Sequence, residues 1–596
     1  METMKRSQQR KEDTWDLTSL FTDAANWEEG LAQFRARIEQ APSFKGKLSE
    51  GKESFLDTMR WYEETGILAE RIYNWAFLNY SGDASDSQNT HRYSLAASSL
   101  SDFSASMAFF DPELLALDDE LVESYLKESE FAPYAVYIRK ARRFKAHILS
   151  EPEERIMALQ SEVASTARTT FSDLTNVDFD FGMLDGKPLT QSSLSSFLMQ
   201  DDRDLRRQAY EQFYAVYDKS KHAIARLYEG QVKQDMFRCK VRGYESARAM
   251  ALFGDDVPLS VYDNLIKAVH EALPTLHRYY ALRAKVLGLE KLAHYDVYVP
   301  LLKGLQVRTS YEEAVTTIAN ALAPLGEAYV TTLSKGLLED RWVDRYENKG
   351  KRSGAFSSGT YTSKPYILLN YKEDVLRDLF TVAHEGGHSM HSWYSVRNNP
   401  YLHADYTIFE AEVASTFNEQ LVAKYLLEHA EDDTMKAYIL GKQIDDIVAT
   451  LFRQTMFAEY EMITHRIAES GTPLTLEVLR KEYRTLLTTY FGEGVQFEEQ
   501  SDLEGLRIPH FYSPFYVYKY ATGLSAAIAL SQKVLNGGEK ERKDYLSFLK
   551  SGGSLYPIES LRKAGVDMTS EKPVKDALST FAGLLDQLEK LLGVNS

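Results

Sequence analysis

Across 596 residues the chain has a single cysteine, Cys239. An intramolecular disulfide is therefore impossible, which agrees with a reducing compartment, and the thiol is expected to be an inert part of the core. Proline and glycine are sparse for this length, at 16 and 32 residues. No Pro/Gly/Ser-rich linker or low-complexity block marks off independent units, so one large body or two closely packed lobes is expected. No uncharged apolar run reaches the roughly eighteen residues that a membrane span requires. The opening METMKRSQQRKEDTWDL carries basic residues but no apolar segment behind them, and the expected location is the cytoplasm, with no membrane partner. Basic excess is missing too: a formal charge of -18 argues against a general nucleic-acid binder, whose phosphate contacts need a basic face. The acidity is read as a solvated surface.

What is present is helical periodicity. With 44% hydrophobic and 26% charged residues the chain can bury a large core. NWEEGLAQFRARIEQ places Trp27, Leu31, Phe34 and Ile38 at spacings of three and four. VYDNLIKAVHEALPTLHRYYALRAKVLGL does the same with Val261, Leu265, Val269, Leu273, Leu276 and Tyr280. Strand signals are confined to two places. In NVDFDFGMLDGKPLT, Val177, Phe179 and Phe181 alternate with polar residues and Asp185-Gly186 supplies a turn, which predicts a small hairpin. SGAFSSGTYTSKPYILLNYK is the other. The class is mainly α with a small β element, divided into an N-terminal helical lobe over residues 1–200, ending in the hairpin, and a second helical domain over 201–596.

The chemistry concentrates in LFTVAHEGGHSMHSWYS. Residues four apart share a helix face, so His384 and His388 can direct imidazole nitrogens at one point, suited to Zn²⁺ at roughly 2.0–2.1 Å. Glu385, about 100° around the helix, is poorly placed as a ligand but can reach an attacking water. A third ligand is needed. The position six after His388 is Tyr394, and the one after an eighteen-residue gap is Thr407, so neither of two common zinc-site spacings is met. DYTIFEAEVASTFNEQLVAKYLL offers Glu412, with Ser415 and Glu419 on one face, and Glu410 as a further carboxylate. Gly386 and Gly387 together weaken a helix by roughly 2 kcal/mol relative to alanine. Bare backbone there admits close approach, and the expected neighbour is the strand within SGAFSSGTYTSKPYILLN or a peptide bound beside it, clearing space over the metal.

PHFYSPFYVYKY adds His510 and the tyrosines Tyr512, Tyr516, Tyr518 and Tyr520. By themselves such clusters are usually core; beside a zinc hydrolase they can supply donors to an oxyanion. His391 is expected to pack beneath the site and His403 to lie near it, while Lys364 and Arg352 flank the second strand region.

WDLTSLF, GKRSGAFSSGTY, HEGGHSMH, FEAEVASTFNE and PHFYSPFYVYKYATG, in this order over most of the chain, resemble the oligoendopeptidase F branch of the thimet oligopeptidase family of zinc peptidases. The resemblance implies a large multi-helical fold with a deep substrate channel and one zinc ion held by His384, His388 and Glu412. Glu385 would be the catalytic base, Glu419 a partner behind the ligands, and His510 with Tyr518, Tyr512 or Tyr516 the oxyanion donors. It further implies short oligopeptide substrates; such a peptide is expected to lie extended along the SGAFSSGTY strand, hydrogen-bonded through its main chain. An exopeptidase of the same fold would need a terminus-capturing charge that the residues do not identify. A non-catalytic peptide-binding scaffold or a structural zinc protein fits poorly with an intact Glu385 and one remote cysteine. Oligomeric state and cleavage preference are not set by these residues.

Overall fold

The computed structural model describes residues 4–302 and 308–594. It is predominantly helical, with only short strands. The chain folds into two compact units. One comprises Met1–Ala146, Gln306–Leu426 and Leu530–Val566; the other comprises His147–Leu305, Leu427–Ala529 and Asp567–Ser596. Each therefore gathers separated stretches of chain, and residues 147–200 of the expected N-terminal lobe group with the second unit. Among the described residues no helix is long and apolar enough to cross a membrane.

The predicted stripes are the packed ones. Trp27, Leu31 and Phe34 are buried in the first unit, and Trp27 stacks on Trp75 of the long helix Lys52–Gly82 with ring centroids 5.7 Å apart. In the second unit Val261, Leu265, Val269, Leu273, Leu276 and Tyr280 are all buried along Leu259–Val286, which continues through Pro274.

The first unit holds a three-stranded sheet in which Tyr366–Leu368 is central. It pairs in parallel with Val343–Asp344 and antiparallel with Phe356–Ser358, in the register Phe356↔Leu368 and Ser358↔Tyr366. Tyr366 and Leu368 are fully buried against Trp15, Phe21, Trp27 and Trp75, which fixes the sheet to the N-terminal helices. Phe356–Ser358 is thus an edge strand, with one side unpaired by any strand.

The hairpin is smaller than the alternation suggested. Only Met183–Leu184 and Lys187–Pro188 pair, around Asp185 and Gly186, both with positive φ. Val177 lies in a π-helical turn, Leu174–Asp178, with its side chain exposed, and Phe181 leaves the strand pattern to stack on Phe213 at 4.5 Å. A parallel pair, Leu292–Ala293 with Val495–Gln496, is too short to leave a period in the sequence.

Candidate metal centre

Two helices of the first unit build the site. The motif helix spans Leu376–Asn398 and the carboxylate helix spans Ile408–Glu428. Their approach depends on Gly387, where a Cβ would lie 2.5 Å from the Ala414 carbonyl oxygen and 2.6 Å from the Ser415 α-carbon. The close neighbour of this glycine is therefore the carboxylate helix, and the expectation of a strand or peptide over it is corrected. Gly386 faces the Leu333 side chain, 3.2 Å from where its Cβ would be. Asn418 locks the crossing by donating to the Ala383 carbonyl at 3.1 Å while accepting from the Tyr329 hydroxyl at 3.2 Å.

That proximity brings three donor atoms together. His384 Nε2 lies 3.5 Å and His388 Nε2 lies 3.7 Å from Glu412 Oε2, and all three atoms lie within 4.8 Å of one another. Tetrahedral ligands at zinc-like bond lengths stand about 3.3–3.4 Å apart, so the cluster fits such an ion with little movement. Two imidazoles and one carboxylate also match the three-ligand set that leaves a position open.

The atoms behind these donors set the imidazole tautomers. His384 Nδ1 donates to Glu419 Oε1 at 2.5 Å, which leaves Nε2 as the lone-pair donor facing Glu412. The His388 ring is hydrogen-bonded to the Ala411 backbone, and the Ser415 hydroxyl donates to Glu412 Oε2 at 3.1 Å. Of the rival carboxylates, Glu412 faces the imidazole Nε2 atoms and Glu419 sits behind His384. Glu410 is buried on the same helix.

Glu385 is 6% exposed, and its Oε2 has no hydrogen-bond partner. Burial, helped by repulsion from Glu412 and Glu419 and opposed by His384, pushes its carboxyl up to about 7. Burial also disfavours charge on His384, but its bond to Glu419 outweighs this and holds it up near 9. His388 is pushed down to about 4 by burial and by His384 beside it. These shifts belong to the metal-free cluster, and a dication displaces the proton on His384 and favours the Glu385 anion.

His391 packs beneath, as expected. Its ring stacks on Tyr406 at 3.6 Å, and burial holds its pKa near 3, so it stays neutral. His403 instead accepts from the Tyr137 N–H at 3.4 Å. Lys364 turns to Asp16 at 3.7 Å, and Arg352 lies over Phe77 and Phe356.

His510, Tyr512 and Tyr518 belong to the second unit. Tyr512 is buried and stacked on Phe171 at 4.4 Å, and Tyr518 is buried against Tyr262 at 5.1 Å. The rings beside the exposed His510 are those of the half-buried Tyr516 and Tyr520, each with its centroid 6.0 Å away. Phe515 in this segment has φ 55°, and its N–H is taken by buried Glu461 at 3.0 Å. Alternation of tyrosines in the sequence does not tell the half-buried rings from the buried ones.

Gly387→Ala should keep the helical propensity gain of alanine yet lose about 1–3 kcal/mol to overpacking, because the obstructing atoms are backbone. Thermal melting and a zinc titration should both show the loss; Gly386→Ala, facing a movable leucine, should be milder.

The family model described as Peptidase family M3 matches residues 196–580, and that described as Oligopeptidase F matches residues 113–181. An oligoendopeptidase F homolog of Borreliella burgdorferi is 41% identical over 99% of this chain and the whole of its own. The solved structure of oligoendopeptidase-F from Enterococcus faecium superposes with a TM-score of 0.75 at 34% identity, covering 95% of this chain and 99% of its own. A candidate peptidase of Chlamydophila abortus superposes at 0.92, also at 34% identity, with both chains fully covered.

Proposed function

Since the chain belongs to peptidase family M3, in its oligoendopeptidase F branch, and is a metalloendopeptidase, we propose that its metal is one zinc ion, held by His384, His388 and Glu412. The observation that carries this is the convergence of two Nε2 atoms and one Oε2 within 4.8 Å, with Glu385 buried beside them and one of its oxygens unpartnered. Zinc so held supplies Lewis acidity, polarising a carbonyl and making water acidic near neutral pH.

Glu385 is the general base: it takes a proton from the attacking water and passes it to the leaving amine. Glu419 is the positioning residue that keeps His384 in the Nδ1–H tautomer. The substrate is a short oligopeptide cut at an internal bond. It lies extended along the unpaired side of Phe356–Ser358, where main-chain bonds ask little of its side chains. This strand is set against the motif helix by a 2.8 Å contact between the Ser357 and Ser389 hydroxyls. His510, with a tyrosine of its segment, donates to the oxyanion. The resemblance singles out Tyr518 and Tyr512 for that role, while Tyr516 and Tyr520 are the rings that stand beside His510. The cytoplasm is the proposed location, in keeping with a lone, buried Cys239.

An equilibrium zinc titration of metal-free protein tests this reading. One ion per chain should bind, peptide cleavage should return in proportion to occupancy, and Glu419→Gln should weaken binding by about 10- to 100-fold. Activity that is full without metal would rule the reading out.

A further inference from the structure

Downstream of the metal ligands, the first unit contains a recess that the proposed chemistry does not use. It has about 80 Å³ of free space and is lined by Glu70, Thr360, Tyr361, Trp393, Tyr401 and Asp405, among others. That is room for an ammonium head group and a water or two, given about 30 Å³ per water. Glu70 accepts from the Tyr361 N–H at 3.2 Å and is hydrogen-bonded by the Tyr401 side chain. Gly66, one turn earlier on the same helix, makes space for this: a Cβ there would lie 2.6 Å from the Tyr401 hydroxyl. Thr360 is 8% exposed, and its hydroxyl has no hydrogen-bond partner. Burial, with repulsion from Asp405, pushes the Glu70 carboxyl up to about 7. Asp405 reaches solvent but sits in the recess, and its carboxyl is raised by poor solvation. Such a pair is relieved by a cation placed between them.

The one guanidinium at the rim is already committed. Arg397 lies over the Trp393 ring, 3.1 Å from its centroid, and donates to the Trp393 carbonyl at 3.2 Å. In the adjoining segments Arg71 is bonded to Thr362 and to the Leu20 carbonyl, and Lys364 is turned to Asp16. Two carboxylates thus face the recess against one engaged cation.

We propose that this recess is a substrate subsite for a cationic group, a lysine or arginine side chain or the peptide's own terminal ammonium, about three or four residues upstream of the bond that is cut. The inference rests on the reading that peptides lie along Phe356–Ser358. A peptide added antiparallel to that strand places its N-terminal part beside the strand's C-terminal end, which runs through Gly359 and Thr360 into the recess. Ser357 is level with Ser389, one residue past His388. Thr360 follows Ser357 by three residues, at most about 10 Å before the chain turns at Tyr361, and an extended peptide covers that length in about three residues. On the motif helix the recess is lined from Ser392 to Arg397, about 6–14 Å beyond His388 along the axis.

The test uses the zinc-loaded full-length protein and internally quenched peptides differing only at the third and fourth residues upstream of the cut. Each carries lysine, norleucine or glutamate there, with a second set that ends at that point with a free or an acetylated terminus. The expected result is a kcat/KM preference for lysine on the order of tenfold, the size of one charge-assisted hydrogen bond. It should fall to near unity in Glu70→Gln/Asp405→Asn and turn toward glutamate in Asp405→Lys. A preference seen only with the free terminus assigns the subsite to the terminal ammonium. Equal cleavage of lysine and norleucine peptides by the wild type, or a preference that survives the double substitution in a protein that melts normally, overturns the subsite. If the wild type cuts none of the set while holding zinc, the endopeptidase reading itself falls.

Discussion

Glu385→Gln should lower kcat by about 10²- to 10⁴-fold, the usual contribution of a general base, while zinc content stays at the wild-type level. The expectation follows from the position of the group. Glu385 Oε2 is buried without a hydrogen-bond partner, and the bond the carboxyl does accept, from the Ser357 backbone, can equally be accepted by an amide oxygen. Burial, helped by repulsion from Glu412 and Glu419, is why its own carboxyl is pushed up. Replacing it with a neutral amide of the same shape removes that repulsion, and the melting temperature should stay level or rise. Steady-state kinetics beside metal analysis checks both halves. A variant that loses zinc would mean that Glu385 is a structural part of the ligand cluster, and one that keeps full turnover would remove it from the mechanism.

His388→Ala should produce the other large effect, by a different route. Free energies of binding zinc to a full protein site are about 10–16 kcal/mol, so losing one protein ligand of three should weaken the affinity by at least about 10²- to 10³-fold. Turnover should then follow occupancy: strongly reduced at trace zinc and partly recovered as zinc is raised. Stability should behave differently. The buried clusters of the first unit are built from aromatic and aliphatic side chains such as Trp27, Phe34, Trp75 and Tyr366, none of which belongs to the ligand set. Chelation should therefore abolish activity while leaving far-ultraviolet circular dichroism unchanged. Unfolding on chelation would show instead that the ion is structural.

The parts of this site that were legible in the sequence are those set by local geometry. The i, i+4 spacing of His384 and His388 fixes a shared face whatever the rest of the chain does. The apolar spacings at Trp27, Leu31 and Phe34 and along Val261 to Tyr280 became buried faces for the same reason. Glu412 came from resemblance; periodicity left Glu410, Glu412 and Glu419 as alternatives. Which of them faces the imidazoles is set by the crossing of two helices, Gly387 against Ala414 and Ser415, and such a contact leaves no period in either segment. The same limit applies to PHFYSPFYVYKY. Tyr512 and Tyr518 point into buried packing while Tyr516 and Tyr520 stand near His510, because a 3₁₀ turn at Pro509–Tyr512 and the left-handed Phe515 break the alternation. Strands of two residues, such as Leu292–Ala293, are too short to announce themselves. The two compact units could not be read from composition, since each is assembled from three separated stretches and no linker marks the crossings.

The most direct test of the central claim is cleavage of an internally quenched peptide blocked at both ends, by wild-type protein whose zinc content is measured in the same preparation. Cutting at an internal bond at one zinc per chain, lost on chelation and restored by zinc alone, is the predicted result. An intact blocked peptide alongside a trimmed unblocked one, at full zinc, would contradict it.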